Sequence, residues 1–239
     1  MRHTHNKTYF DNPTTPEQYY DMGFMFADGG VLTVTDSILR GLKSRCNRLR
    51  IDINRQDEEI LVGFKSRISA TQPIRRYTRF NKKRKVTTYS SEIAIHGIGL
   101  VSGLIKHGCG PNKSLTVTFP EIPEKYLCDF ILGFMDGDGG ICCQIGKKGQ
   151  VIGADLHFRG TFPFLKKLNE ILSQKCGEQG HFYFLYKSVP SLVFCKKANV
   201  VKLGDYLYTH CAHIALARKY TKYLKLKKEM ETLDYQPQT

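Results

Sequence analysis

The sequence predicts an α+β protein made of two pseudo-symmetric αββαββα halves, and three observations lead to that class. In the stretch YYDMGFMFADGGVL, residues 19–32, Gly23, Ala27, Asp28, Gly29 and Gly30 match Gly133, Gly137, Asp138, Gly139 and Gly140 of the stretch CDFILGFMDGDGGI, residues 128–141, at a constant offset of 110 residues. Leu127, Phe130, Ile131 and Phe134 recur at helical spacing, and past the glycine pair of either copy the apolar period falls to two, as in strands. Both halves are basic: residues 1–120 carry 19 basic and 10 acidic side chains and residues 121–239 carry 17 and 12, for a net charge of +14 over 239 residues. Such a length buries a sizeable core, and a polyanion contacted by both halves is the simplest partner for that charge.

Residues 1–14 are polar and are expected to order only against a partner. Thr15-Pro16-Glu17-Gln18 has the form of a capping box, with Thr15 as N-cap and Gln18 reaching back, so the first repeated helix starts there. Gly23 and Ala27, like Gly133 and Gly137, lie four residues apart, where small residues let two helix backbones approach closely. Gly29 and Gly139 suit the left-handed residue that closes a helix. Residues 31–36 and 48–54 read as strands, the second alternating Leu49, Ile51 and Ile53 with Arg48, Arg50, Asp52 and Asn54. One apolar face for helices and one face of hydrogen-bonding side chains is what a sheet lying in a DNA major groove requires.

A helix is expected over 57–68, with Ile60, Leu61, Phe64 and Ile68 on one face. Strands at 74–80 and 86–91 flank a hairpin tip. Seven of the eleven residues from Arg75 to Lys85 are basic (Arg75, Arg76, Arg79, Lys82, Lys83, Arg84 and Lys85), with Tyr77 and Phe80 between them, which suits a tip gripping phosphates. A helix over 93–106 closes the half. The first repeat is thus read as 1–110, a connection with a strand-like run at 115–119 as 111–122, and the second repeat as 123–239. Its strands are expected at 141–147, 151–159, 181–186 and 192–195, with helices at 162–176, 198–208 and 213–230. Leu156 and Phe158 should face inward, and Asp155, His157 and Arg159, with Gln144 on the neighbouring strand, toward DNA. The last helix carries Arg218, Lys219, Lys222, Lys225, Lys227 and Lys228, a face that either touches phosphates or is solvated.

Asp28 and Asp138 fall in the last turn of their helices, at the negative end of the helix dipole, which costs roughly 0.3 to 1 kcal/mol. Packing the helices together would also make the two carboxylates repel. A divalent cation relieves both, and Mg2+ fits, because it takes one or two carboxylates and fills its other positions with water and phosphate oxygens. A calcium loop starting at Asp136 fails: its sixth position is Ile141 instead of glycine and its twelfth is Lys147 instead of glutamate.

The segments DMGFMFADG and ILGFMDGDG resemble the two motifs of single-chain LAGLIDADG homing endonucleases, the second closely. The run GCGPNKSLTVTFPEIPEKYLCDFILGFMDGDGGI resembles that family's inter-repeat segment entering its second motif, and LYTHCAHIALARKY its C-terminal helix. The resemblance implies a monomer with internal pseudo-two-fold symmetry, two motif helices packed at the centre of a saddle of antiparallel sheets, and a double-stranded DNA target. It also implies metal-dependent cleavage of both strands at a long site, leaving short 3′ overhangs, with Asp28 and Asp138 as catalytic metal ligands. Supporting basic residues are implied at the end of the last strand of each half, where the chain offers Lys196 or Lys197 and, in the first half, His96; Arg55, Gln56 and Arg159 match groove-facing positions. The first motif departs from the pattern at Asp21, where leucine is usual, and at Phe26, where a second acid is frequent. RNA maturases and non-cleaving DNA-binding regulators share the fold; retention of both aspartates disfavours the regulator.

The eight cysteines form no Cys-x-x-Cys pair, so reduced thiols are expected. Adjacent Cys142 and Cys143 point to opposite faces of a strand, and nothing near His210, Cys211 and His213 in the sequence completes four metal ligands. No apolar run spans a membrane and no signal-peptide pattern occurs, which implies a soluble protein of a cytoplasm-like compartment or an organelle matrix, wherever its target DNA is.

Overall fold

The computed structural model describes residues 3–42, 46–82, 85–184 and 189–234. Helix α1 (Pro16–Ala27) begins at the expected capping box: Gln18 N donates to Thr15 Oγ1 at 3.3 Å and Thr15 N donates to Gln18 Oε1 at 3.2 Å. Strand β1 (Gly29–Leu32) follows, and the strand expected over 31–36 stops there, because Thr33 Oγ1 accepts from Asp36 N at 3.1 Å and caps a new helix, α2 (Val34–Leu39). Strand β2 (Arg48–Asn54), helix α3 (Glu58–Arg67), strands β3 (Arg75–Asn81) and β4 (Val86–His96) and helix α4 (Ile98–Lys106) complete the half. Residues 93–96, expected as helix, belong to β4: β-branched Ile93 and Ile95 are fully buried and pair with Ile51 and Leu49.

In the connection a single helical turn, α5 (Lys113–Thr116), replaces the start of the strand-like run expected at 115–119. The second half runs α6 (Leu127–Asp138), β5 (Gly139–Ile145), β6 (Val151–Arg159), α7 (Phe162–Cys176), β7 (His181–Tyr183), β8 (Ser191–Cys195), α8 (Lys197–Leu207) and α9 (Ala217–Asp234). Part of the strand expected over 181–186 lies outside the described residues, and α9 starts four residues later than expected. The strands form two four-stranded antiparallel sheets of matching order, β1-β2-β4-β3 and β5-β6-β8-β7. This is an α+β fold of two αββαββα halves, with α2 inserted between β1 and β2 of the first and α9 added after the second.

The halves meet where α1 lies against α6. A Cβ on Gly23 would fall 1.9 Å from Phe130 O, and one on Gly133 would fall 1.9 Å from Tyr20 O, so each helix presses its glycine onto the other's backbone. Gly23 and Gly133, like Tyr20 and Phe130, are 110 residues apart, so the contact itself obeys the pseudo-two-fold symmetry. Around it the Phe26 and Phe130 rings meet edge to face at 5.2 Å, joining both halves in one core.

Two expectations are corrected. Gly29 and Gly139 start strands instead of closing helices in the left-handed region; Gly139 has φ −137° and ψ −166°. What they supply is room, since a Cβ would lie 2.6 Å from Met25 O at Gly29 and 2.6 Å from His157 O at Gly139. The N-terminal segment also orders against its own half without a partner: Phe10 is fully buried, Tyr9 Oη donates to Asp21 Oδ2 at 2.7 Å, and Asn6 N donates to Ile68 O at 2.7 Å.

Candidate active site and nucleic-acid face

Because α1 and α6 run side by side and end at the same level, their last residues come together. A Cβ on Gly137 would lie 3.4 Å from Asp28 Cγ and 3.2 Å from Asp28 N, so the Asp28 carboxylate stands beside the last turn of α6, next to Asp138. Burial, with Asp138 adding to it, raises the Asp28 carboxyl to about 6. Asp138 is likewise raised by burial, opposed by Lys113, Lys219 and Arg159. Asp28 still exposes part of its side chain and Asp138 is half-buried, so both are crowded yet open on one side.

Two interior lysines underpin the pair. Lys113 Nζ donates to Phe26 O at 2.8 Å and to Ala27 O, while Lys219 Nζ donates to Met135 O and Asp136 O at 2.7 Å and to Gly139 O at 2.8 Å. Each ammonium satisfies the carbonyls left over at a helix C-terminus and sets positive charge at the negative end of its dipole. Burial depresses both, Lys219 to about 8. The sequence reading did not single them out as site residues: Lys113 stands in the connection, Lys219 is one cation among six on the last helix, and their spacing of 106 misses the repeat offset of 110.

Lys196 and Lys197 are directed elsewhere. Lys196 Nζ holds Glu178 at 2.8 Å and Lys197 Nζ donates to Val151 O at 3.1 Å, whereas the cations acting on Asp138 are Lys113, Lys219 and Arg159. His96 ends β4, where burial and then Arg48 and Arg75 depress its pKa. Asp21 is buried but held by Arg67 Nε at 2.8 Å and by the Tyr9 hydroxyl, which compensates its place in the helix. Asp136 is buried too, its Oδ2 accepting from Tyr20 Oη at 2.7 Å and Leu216 N at 2.9 Å. A cleft of about 390 Å³ opens beside Asp138, lined by Phe26, Lys113, Phe134, Arg159 and Ser191 among others.

The predicted sheet faces form as patterned. Leu49, Ile51 and Ile53 turn into the core, and Arg48, Arg50 and Asn54 stand on the opposite face with Arg75 and Arg79. These cations are partly engaged: Arg50 Nε donates to Glu92 at 2.7 Å and its Nη2 to Asp52 at 2.9 Å, and Arg79 lies 3.8 Å from Asp52. Arg55 donates to Tyr77 O at 3.1 Å, and Gln56 is exposed beside it. Arg76 is a correction: opposite Ser91 in the register it lies on the other face, bound to Glu58, because successive strand residues alternate sides. Lys82 and Lys85 are exposed at the hairpin tip, and Lys83 and Arg84 lie outside the described residues. In the second sheet Gln144 and Arg159 are exposed, while His157 Nδ1 sits 3.2 Å from Asp155. The basic face foreseen on α9 is partly consumed: Lys219 is buried, and Arg218 spans the halves with Nε 2.8 Å and Nη2 2.9 Å from the Asp57 carboxylate.

No protein-family profile matches the chain, and no curated protein matches it by sequence. Solved structures do. The LAGLIDADG homing endonuclease I-GzeII in complex with its DNA target superposes with a TM-score of 0.59 at 11% identity, covering 94% of both chains. The homing endonuclease I-WcaI bound to its DNA recognition sequence gives 0.56 at 13% identity over 91% of each chain. The I-SmaMI LAGLIDADG homing endonuclease bound to cleaved DNA gives 0.55 at 13% identity, over 94% of this chain and 91% of that one. At such identities the likeness speaks for architecture, and the architecture of this chain is that of the LAGLIDADG homing endonucleases.

Proposed function

We propose that the protein is a site-specific DNA endonuclease, acting as a monomer and cutting both strands of a long duplex target with short 3′ overhangs. The observation that carries this reading is the meeting of Asp28 and Asp138 at the ends of two helices that press glycine onto backbone, one carboxylate from each half. Such a pair suits the two strands of a duplex, whose symmetry the two halves mirror.

The donor set fits magnesium. The converging groups are carboxylates, hard oxygen donors, and Asp28, its carboxyl raised by burial and then by Asp138, has a second carboxylate in its field that a divalent cation would neutralise. Bound there, Mg2+ supplies an activated water and charge neutralisation at the phosphate and the leaving oxygen. Asp28 and Asp138 would hold the ion, Lys113 and Lys219 would keep the surrounding potential from becoming too negative, and Arg159 would meet a phosphate beside Asp138. Arg48, Arg50, Asn54, Arg55, Gln56, Arg75 and Arg79 in the first half, and Gln144, His157 and Arg159 in the second, contact bases and phosphates.

The test is selection from a randomised duplex library in Ca2+, followed by transfer of the recovered duplexes to Mg2+. Cleavage of both strands with 3′ overhangs at a common long sequence is expected. Recovered duplexes that stay intact in Mg2+ and in Mn2+, with tighter binding to structured intron RNA, would overturn the reading.

A further inference from the structure

The first turn of α6 and the segment between α8 and α9 bring together a second set of metal-ligating side chains. They lie at the opposite end of α6 from Asp138, about 14 Å away along the axis at 1.5 Å per residue. Asp129 is fully buried, and His210 Nδ1 lies 3.2 and 3.1 Å from its two oxygens and 3.5 Å from Cys128 Sγ. The donor atoms of Cys128, Asp129 and His210 all fall within 4.8 Å of one another. Cys211, also fully buried, follows His210 in the chain, and its thiol, pushed up by burial, lies in the field of the same carboxylate. The sequence brings His210, Cys211 and His213 together; in the fold His213 turns away to Glu17, at 3.9 Å, and its place is taken by residues more than 80 positions upstream.

We propose that Cys128, Asp129 and His210 bind a zinc ion, with Cys211 as the fourth ligand after rotation of its side chain. Metal–ligand distances of about 2.0 to 2.3 Å in a tetrahedral site imply donor–donor separations of roughly 3.3 to 3.8 Å. The Cys128–His210 and Asp129–His210 separations are already close to that range. Sulfur, nitrogen and a single carboxylate select zinc over magnesium, so the two cations belong to opposite ends of α6. Binding releases the Cys128 and Cys211 thiol protons to solvent, and the surplus negative charge of two thiolates and a carboxylate around Zn2+ sits at the positive end of the helix dipole.

The ion would tie the segment after α8 to α6. That segment leads directly to Leu216, whose N–H holds Asp136, and to Lys219, whose ammonium closes the far end of the same helix. Zinc at one end and the lysine at the other would fix α6 in the register that presents Asp138.

Metal-stripped protein in saturating Mg2+, titrated with Co2+, tests the site. A thiolate-to-cobalt charge-transfer band with tetrahedral ligand-field bands is expected, weakened in Cys128→Ser and in His210→Ala and lost in the Cys128→Ser/Cys211→Ser double variant. It should be unchanged in Cys142→Ser, which removes the thiol of the other Cys-Asp-His group at Cys142, Asp155 and His157, and in the Asp28→Asn/Asp138→Asn double variant. Should Cys128→Ser fail to fold, His210→Ala, at an exposed position, decides: zinc is expected to raise the thermal midpoint of the wild type and not of this variant. No charge-transfer band in the wild type, a band undiminished in Cys128→Ser, retained in the Cys128→Ser/Cys211→Ser double variant or vanishing in Cys142→Ser, or equal zinc stabilisation of wild type and His210→Ala would each overturn the proposal and leave an Asp129–His210 hydrogen bond only.

Discussion

At the scale of single residues, the charge on Asp28 sets how the centre answers to pH. Its carboxyl stands at about 6 against an ordinary 3.8, so between those values the native protein holds a proton that the unfolded chain releases. Metal-free protein should therefore lose stability from this group as pH rises through that window, read as a falling urea midpoint. A divalent cation binds the ionised form, so Mn2+ affinity measured by calorimetry should fall as pH drops below about 6, opposite in sign. Lys219 gives a second test. Replacing it with methionine leaves Met135 O, Asp136 O and Gly139 O without their donor and should cost about 2 to 4 kcal/mol in denaturant unfolding, with cleavage falling more than DNA affinity. These lysines were not legible in the sequence, because a helix end demands a buried cation only once the fold has hidden its carbonyls from water. The aspartates were legible, since their position after a repeated helix is written in spacing alone.

At the scale of elements, the close approach of α1 and α6 is what makes a joint site. Gly23→Ala or Gly133→Ala drives a methyl into Phe130 O or Tyr20 O and must part the helices. About 3 kcal/mol of destabilisation is expected, and, because a displacement of about 1 Å at reacting groups costs on the order of 100-fold in rate, single-turnover cleavage should drop by that order while salt-sensitive DNA binding persists. The hairpin between β3 and β4 should behave oppositely. Changing Lys82, Lys83, Arg84 and Lys85 to alanine should weaken binding and lower the slope of log affinity against log salt by about 0.9 per lost phosphate contact, while saturating protein still cuts near the wild-type rate; unchanged affinity would assign the run to solvent. Strong local signals were legible here: the box at Thr15, the alternation of Leu49, Ile51 and Ile53, and helix α7, whose Phe162–Cys176 span was foreseen. Local signals failed where two competed. Thr33 and Asp36 offered a cap that outweighed a short apolar alternation, and Ile93 and Ile95, two apart as in a strand, merge with the helical run that follows them, although Leu49 and Ile51 give them strand partners.

At the scale of the molecule, the halves share a plan and differ in charge. In the strand register Arg159 occupies the place that Asp52 takes in the first half, so Asp138 has a guanidinium in its field where Asp28 has Asp57. The first sheet compensates with more cations on its outer face, several already tied to Glu92 and Asp52. Unequal strand cleavage follows, with a nicked intermediate accumulating before linear product. The most direct test of the account is a supercoiled plasmid carrying the selected target, followed over time in Mg2+ with wild type, Asp28→Asn and Asp138→Asn. The account predicts nicked and then linear DNA with the wild type, and loss of at least one cut with either variant while target binding in Ca2+ is retained. Full linear product from Asp138→Asn at the wild-type rate would contradict it.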